Sequence, residues 1–397
     1  MSVSINALAA RIEQLLEART HANEAYFGEH AERLARVCRL MAERFQRGGR
    51  LVALGGSPQD WSDAHHVAVE FVHPVIVGKR ALPALAVSSD RVDLLRKPDD
   101  MVISFRPLTV RAGDEWSFAP PTDDPFIGQE LAEISYHLLW ELVHVFFDHL
   151  GGSEAGAGAS GFLYPFLERQ ETDVASVVED VRRSILMKSE EVAALRIQSL
   201  TEGRDELMAA AAALRARFDV GGKLLAFGNG GSATDAADAV ADFHDAPQGW
   251  PSRPALDLAG DSAILTALAN DIGPEVLFQR QVIAYGREGD AALAVSTSGN
   301  SVNIIEALAE ARRRDLLTIA LIGYDGGRVA TDGLADHVIV TRSQNIPRIQ
   351  EVQASVYHVL RELVELTPRA EAACSGLERR RRRGPASNTG TKTIGGR

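Results

Sequence analysis

Apolar residues recur at helical spacing through two long stretches of the chain. One is INALAARIEQLLEARTHANEAYFGEHAERLARVCRLMAERFQ and the other is VASVVEDVRRSILMKSEEVAALRIQSLTEGRDELMAAAAALRARF. Each predicts a helical lead-in. A short apolar run follows in both places, Leu51–Leu54 or Leu224–Phe227, then a glycine-containing loop and another helix-like segment. A second strand is expected at Pro83–Asp90 (PALAVSSD) and again at Pro254–Asp261 (PALDLAGD). Closing helices are expected over Gln129–Val143 and Gln350–Val364. The later half adds three more strand-like runs, AALAVST, LTIALIG and DHVIVT. Strands alternating with helices predict an α/β fold with parallel sheets covered on both faces.

The pattern reads as one unit written twice. GGRLVALGGSPQDWSDAHHVAVEF (Gly48–Phe71) runs parallel to GGKLLAFGNGGSATDAADAVADF (Gly221–Phe243). The first writing is trimmed. Only Arg91–Asp99 separates its second and third strands, so a helix is expected to be missing there, and Pro107–Phe126 shows no period. The expected organisation is a trimmed domain over 1–150, a linker over 151–165, a complete domain over 166–368 and a tail over 369–397. GGSEAGAGASG gives the linker its flexible composition. The tail carries Arg379–Arg383 and reads as a disordered, solubilising segment.

A length of 397 residues accommodates two cores, and a formal charge of −12 argues against nucleic acid or an anionic membrane as the main partner. Cys38 and Cys374 stand far apart, which suits a reducing compartment without disulfides. The opening residues show no basic n-region followed by an apolar h-region, and no apolar run is long enough to span a bilayer. A cytoplasmic protein is expected.

The chemistry concentrates in two loops. Gly228-Asn229-Gly230-Gly231-Ser232 lies between a strand and a helix, where glycines let backbone N–H groups approach an anion. Ser296, Thr297, Ser298, Gly299, Asn300 and Ser301 form a second strand-to-helix loop. Capping needs only one or two of those hydroxyls. The rest suit a phosphate. Loops on neighbouring parallel strands would face each other at the carboxyl ends, where ligands of such folds bind.

Here the chain resembles the sugar isomerase (SIS) domain family, and within it phosphoheptose isomerase. The resemblance rests on Gly228–Ser232, Asn270-Asp271, Gly286–Asp290 (GREGD), Ser296–Ser301 (STSGNS), Asp325–Gly327 and the Arg348–His358 helix. It implies two doubly wound, flavodoxin-like domains and an aldose–ketose isomerase of phosphorylated sugars. The family interconverts sedoheptulose 7-phosphate and a mannoheptose 7-phosphate by enediol proton transfer. Carried over, the substrate ligands would be Asn229, Gly230, Ser232, Asp271, Ser296, Thr297, Ser298, Ser301 and Gln350. The family's acid/base and metal groups are a His-x-x-x-Glu pair plus a Gln and a His on the closing helix. The later half has Gln350 and His358 but Asp238 and Asp242 in place of the pair. The earlier half has all four, His66, Glu70, Gln129 and His137, without a phosphate loop.

The resemblance therefore implies a mixed site, with a zinc-like ion on His66, Glu70, Gln129 and His137. Glu70, His137, His358 and Asp242 are the catalytic candidates. Because the family's sites lie between subunits, a homodimer with four-domain pseudo-symmetry is expected. Asp238 and Asp242 leave a second reading open, a non-catalytic phosphosugar-binding or adaptor protein. The serine loops and both closing histidines favour the enzyme.

Overall fold

The computed structural model describes residues 5–74, 79–105, 115–150, 174–246 and 249–367. The first lead-in is a single helix, α1 (Ile5–Gln46). It leads through β1 (Leu51–Gly55), α2 (Pro58–Val72), β2 (Ala84–Ser88), a one-turn α3 (Val92–Leu95), β3 (Met101–Ser104) and β4 (Glu115–Ser117) to α4 (Pro125–Leu150). The second lead-in breaks at Gly203 into α5 (Val174–Glu202) and α6 (Arg204–Asp219). After it come β5 (Leu224–Phe227), α7 (Gly231–His244), β6 (Ala255–Asp257), α8 (Ser262–Asp271) and α9 (Leu277–Tyr285). The chain continues with β7 (Ala291–Ser296), α10 (Val302–Arg313), β8 (Leu317–Ile322), α11 (Gly327–Thr331), β9 (His337–Val340) and α12 (Ile346–Leu366).

Both sheets are parallel. Their strand orders are β2-β1-β3-β4 and β6-β5-β7-β8-β9, so the first repeats the opening of the second. Registers agree as well: Leu51 is level with Ala84 and Met101, and Leu224 with Ala255 and Ala291. The α/β, doubly wound fold expected from the sequence is present in both halves. Between β2 and β3 one turn, α3, stands where the later half has α8 and α9. Among its described residues, the aperiodic Pro107–Phe126 stretch holds one short strand, β4, too brief at three residues to leave a pattern. The 151–165 linker and the 369–397 tail lie outside the described residues, except that 166–173 is likewise not described.

The halves share a core. Ile12, Phe27 and Leu139 belong to the same buried apolar cluster as Val181, Leu214 and Val359. Packing crosses between halves throughout: α1 lies on α5, α2 on α7, and α12 on α4. The crossing of α2 with α7 and of α4 with α12 brings polar side chains of both halves together. No helix among the described residues is long and apolar enough to cross a membrane.

Candidate active site

The two halves begin their first post-strand helix in opposite ways. Ser57 caps α2 through a closed box: its hydroxyl accepts from Asp60 N at 3.1 Å, and Asp60 Oδ2 accepts from Ser57 N at 3.1 Å. A carboxylate thus already occupies the helix end where an anion would bind. At α7 the cap is Gly230, at φ +57, with no side chain to satisfy the first N–H groups. The Ser232 and Ala233 N–H groups donate to the Asn229 and Gly230 carbonyls at 3.1 and 2.9 Å, and no side-chain carboxylate occupies this helix end.

The serine loop is partly closed on itself. Ser301 caps α10 without a side-chain hydrogen bond, whereas Ser296 and Ser298 accept from the loop amides of Gly299 and Asn300 at 3.2 Å each. Gly299 sits at φ +63 against the Gly326 backbone, where no larger residue fits. Strands β5 and β7 are neighbours, and Asn229 and Asn303 exchange amide hydrogen bonds at 3.0 and 2.9 Å. The two loops are therefore joined. Ser232 and Ser296 are buried, Thr297, Ser298 and Ser301 half-buried, and Asn229 and Gly230 exposed. Asp271 ends α8, exposed, and accepts from Asn270 at 2.8 Å.

Beside the glycine loop lies a buried cluster drawn from both halves. A Cβ added to Gly231 would overlap His66 Nε2 and Gln350 Nε2. His66 and Glu70 share one face of α2, four residues apart, with Nε2 to Oε1 at 3.9 Å. His66 Nε2 lies 3.3 Å from His137 Nε2 on α4 and 3.3 Å from Gln350 Nε2 on α12. Their outer nitrogens are engaged elsewhere. His66 Nδ1 is 3.0 Å from the Tyr136 hydroxyl and 3.5 Å from Asp235 Oδ1, and His137 Nδ1 is 3.1 Å from Glu351 Oε1.

Burial sets the electrostatics of this cluster. It pushes His66 well below its ordinary range, helped by the neighbouring His137, and takes His137 down to about 3. Both imidazoles are neutral at pH 7. Burial, with Glu141 and Glu351 nearby, raises the Glu70 carboxyl to about 8. Glu70 Oε2 and Gln350 Oε1 are buried without a hydrogen-bond partner.

This donor set fits a divalent cation. Ligand atoms of His66, Glu70 and His137 lie within 4.8 Å of one another. The two Nε2 atoms stand 3.3 Å apart, a spacing that a shared cation or a single hydrogen bond between them fills.

A mirror cluster occupies the related position. Gln129 Nε2 donates to Asp238 Oδ2 at 2.8 Å, the Ser62 hydroxyl also donates to Asp238, and the Tyr357 hydroxyl donates to Gln129 Oε1 at 3.3 Å. His358 lies between Glu130 Oε1 at 2.9 Å and Asp242 Oδ2 at 3.3 Å. Burial alone would lower His358, but its bonds to Asp242 and Glu130 overcome this and hold it above its ordinary value. A pocket of about 340 Å³ opens here, lined by Ser57, Gln59, Asp60, Phe126, Gln129 and Asp242. It is bordered by the capped loop.

The structure thus divides the sequence-derived set. His66, Glu70 and His137 come together as expected. Gln129, expected beside them, belongs to the mirror cluster, and Gln350 of the other half stands in its place. The reason is topological: α2 packs on α7 and α4 on α12, so Gln350 reaches His66 and Gln129 reaches Asp238 across the two halves. Asp242 and His358 pair with each other, away from His66. Sequence reasoning passed over Asp235, Tyr136 and Glu351, although Asp235 follows Ser232 by three residues and Glu351 follows Gln350 directly.

Comparison with known proteins shows what the chain is similar to. A SIS domain model matches residues 189–323. Phosphoheptose isomerase of Chlorobium phaeobacteroides is 43% identical over 173 residues, which cover 42% of this chain and 76% of that protein. Phosphoheptose isomerase of Nitratidesulfovibrio vulgaris is 36% identical over 190 residues, covering 48% and 90%. Among solved structures, tagatose-6-phosphate ketose/aldose isomerase of Escherichia coli matches at TM-score 0.51 and 13% identity. That match covers 92% of this chain and 95% of that one. The C-terminal domain of glucosamine-fructose-6-phosphate aminotransferase of Francisella tularensis matches at TM-score 0.52 and 9% identity, covering 87% and 96%. These two likenesses run through both halves and concern the fold alone.

Proposed function

The chain belongs to the SIS-domain family of phosphoheptose isomerase and is a phosphosugar isomerase, and from that premise we propose that it converts sedoheptulose 7-phosphate to D-glycero-D-manno-heptose 7-phosphate at one composite site. The glycine loop and serine loop of the later half hold the phosphate. His66, Glu70 and His137 of the earlier half do the chemistry. The observation that carries this reading is the contact of Gly231 with His66 and Gln350, which sets the acid/base groups against the phosphate loop. The halves are read as copies of one unit, and two chains would form a dimer of four such units.

The chemistry follows from the protonation states. Glu70 removes a proton from C1 of the ketose and returns it to C2, leaving the aldose. Burial raises the Glu70 carboxyl to about 8 in metal-free protein, and a cation beside it would favour the ionised form that acts as the base. The O1 proton passes to O2 as the carbon-bound proton moves, so charge does not accumulate on the enediolate. Anchoring the phosphate at the far end of the sugar fixes C1 and C2 beside Glu70. His66, Glu70, His137 and Gln350 would hold the divalent ion, zinc by its donor types. When bound, it stabilises negative charge on the sugar oxygens. The test is incubation with sedoheptulose 7-phosphate, with and without a chelator. Formation of the aldose, lost on chelation and regained with zinc, supports the reading. Absence of turnover in zinc-loaded protein contradicts it.

A further inference from the structure

A pair of carboxamides links the glycine loop to the serine loop. Asn229 Nδ2 donates to Asn303 Oδ1 at 3.0 Å, and Asn303 Nδ2 donates to Asn229 Oδ1 at 2.9 Å. The paired geometry settles which group donates. Turning both amides over restores the same exchange, whereas turning one over sets oxygen against oxygen and nitrogen against nitrogen. Asn303 lies in the first turn of α10, where an asparagine ordinarily bonds to backbone close by in the chain. Its bonds run instead to a residue 74 positions earlier. The serine loop is held on its other flank as well. Asn300 Nδ2 donates to Ser298 O at 3.0 Å, and Asn300 Oδ1 accepts from Arg328 N at 3.0 Å. In the earlier half Gly56 stands at the position of Asn229, so the pair has no counterpart there.

A carboxamide is planar and carries two N–H bonds. Once its oxygen and one N–H are engaged, the direction of the second N–H is fixed. Asn229 is exposed in the glycine loop, next to Gly230 at the start of α7. We propose that Asn303 is a positioning residue, which holds the Asn229 carboxamide in one orientation and so presents its second N–H to the sugar phosphate. Without Asn303 the Asn229 side chain turns freely and the two loops lose their link. A ligand that needs both loops then meets donors it must first order, which weakens binding. This role rests on the reading of the two loops as the phosphate grip, but the amide pair is independent of which sugar is bound.

Asn303→Ala and Asn229→Ala, alone and together, test the role through titration with inorganic phosphate and turnover of sedoheptulose 7-phosphate. Asn303→Ala should weaken phosphate binding and raise KM roughly 2- to 10-fold, with kcat near wild type. In the Asn229→Ala background the same change should have no further effect, because Asn303 acts through Asn229. The Asn229 side-chain amide signal of ¹⁵N-labelled protein, identified by its loss in Asn229→Ala, should shift in Asn303→Ala. An unmoved signal overturns the pair. Equal losses in both backgrounds mean that Asn303 acts on its own, and they overturn the positioning role. If Asn303→Ala lowers only the thermal midpoint and leaves phosphate affinity and KM as in wild type, Asn303 is structural and the proposal fails. Should that variant not fold, Asn303→Ser, which cannot reproduce the amide exchange, takes its place with the same expected losses. Phosphate affinities that follow this pattern without turnover of sedoheptulose 7-phosphate count against the substrate and not against Asn303.

Discussion

Two clusters occupy related positions between the same pairs of helices, and they differ in how completely their polar atoms are satisfied. At the mirror cluster Asp238 accepts from Gln129 and Ser62, Gln129 from Tyr357, and Glu130 from Arg19 and Ser355. At the composite site Glu70 Oε2, Gln350 Oε1 and both Asp235 oxygens are buried without hydrogen bonds, against Asp242 Oδ2 at the mirror cluster. Buried polar groups left in that state are costly, and proteins retain them where a ligand completes them. The loops follow the same division. The capped α2 end borders the mirror pocket, and the open α7 end borders His66. Losses that look scattered along the sequence therefore converge in space: the filled loop and the two aspartates fall on one cluster, the open loop and the His-x-x-x-Glu pair on the other. On this account one cluster is a reaction site and the other a seam that ties the halves together.

The largest expected effect is on the base. Glu70→Gln lowers kcat by roughly 10²- to 10⁴-fold with sugar-phosphate binding retained, whereas Asp242→Asn leaves kcat near wild type. Equal losses in both variants would erase the distinction between the clusters. Next comes Gly231→Ala, whose methyl group overlaps His66 and Gln350. Displacing catalytic groups by about an ångström costs on the order of 10²-fold in turnover, and the thermal midpoint should move little. Ser298→Ala removes a donor to the phosphate and weakens substrate binding by roughly 1.5–3 kcal/mol, as titration calorimetry would show. Ser104→Ala, at the corresponding strand end of the earlier half, should leave binding unchanged.

A fourth pair separates the glutamines. Gln129→Ala leaves Asp238 short of a partner and destabilises the fold by about 1–3 kcal/mol in denaturant unfolding, with turnover intact. Gln350→Ala reverses that order, costing activity and zinc affinity more than stability. The smallest effect is on pH dependence. Glu70, raised to about 8, contributes stability that is present below about pH 4.3 and lost as pH rises through 8. His66 and His137, both lowered, contribute stability that is present above about pH 6.5 and lost as pH falls. Metal-free protein should therefore lose thermal stability between pH 6.5 and 8, with a shallower fall in Glu70→Gln. Zinc competes with the Glu70 proton, so its stabilising effect should grow over the same interval.

Much of the fold was legible because a parallel sheet writes short apolar runs between helical periods. The strands β1, β2, β5, β6, β7, β8 and β9 fall on runs visible in the chain, while their order and register came only with the structure. Gly203 alone did not announce the break between α5 and α6, since one glycine in a helical pattern is often tolerated. The site was legible in its residue types and not in its pairing. His66 and Glu70 belong together by spacing on one helix. Which glutamine joins them depends on the packing of α2 on α7 and of α4 on α12, which no local pattern encodes, and Gln129 and Gln350 are indistinguishable until that packing is seen. Asp235 and Glu351 were missed for the same reason, since each serves a histidine of the opposite half.

The central claim is that each chain holds one competent site, built from both halves. Titration calorimetry of zinc-loaded protein with sedoheptulose 7-phosphate counts those sites directly. The account predicts one sugar phosphate per chain, with one zinc per chain by metal analysis and neither the zinc nor the turnover surviving in His66→Ala. Two equivalents of either ligand per chain, or zinc and full turnover in His66→Ala, would contradict it.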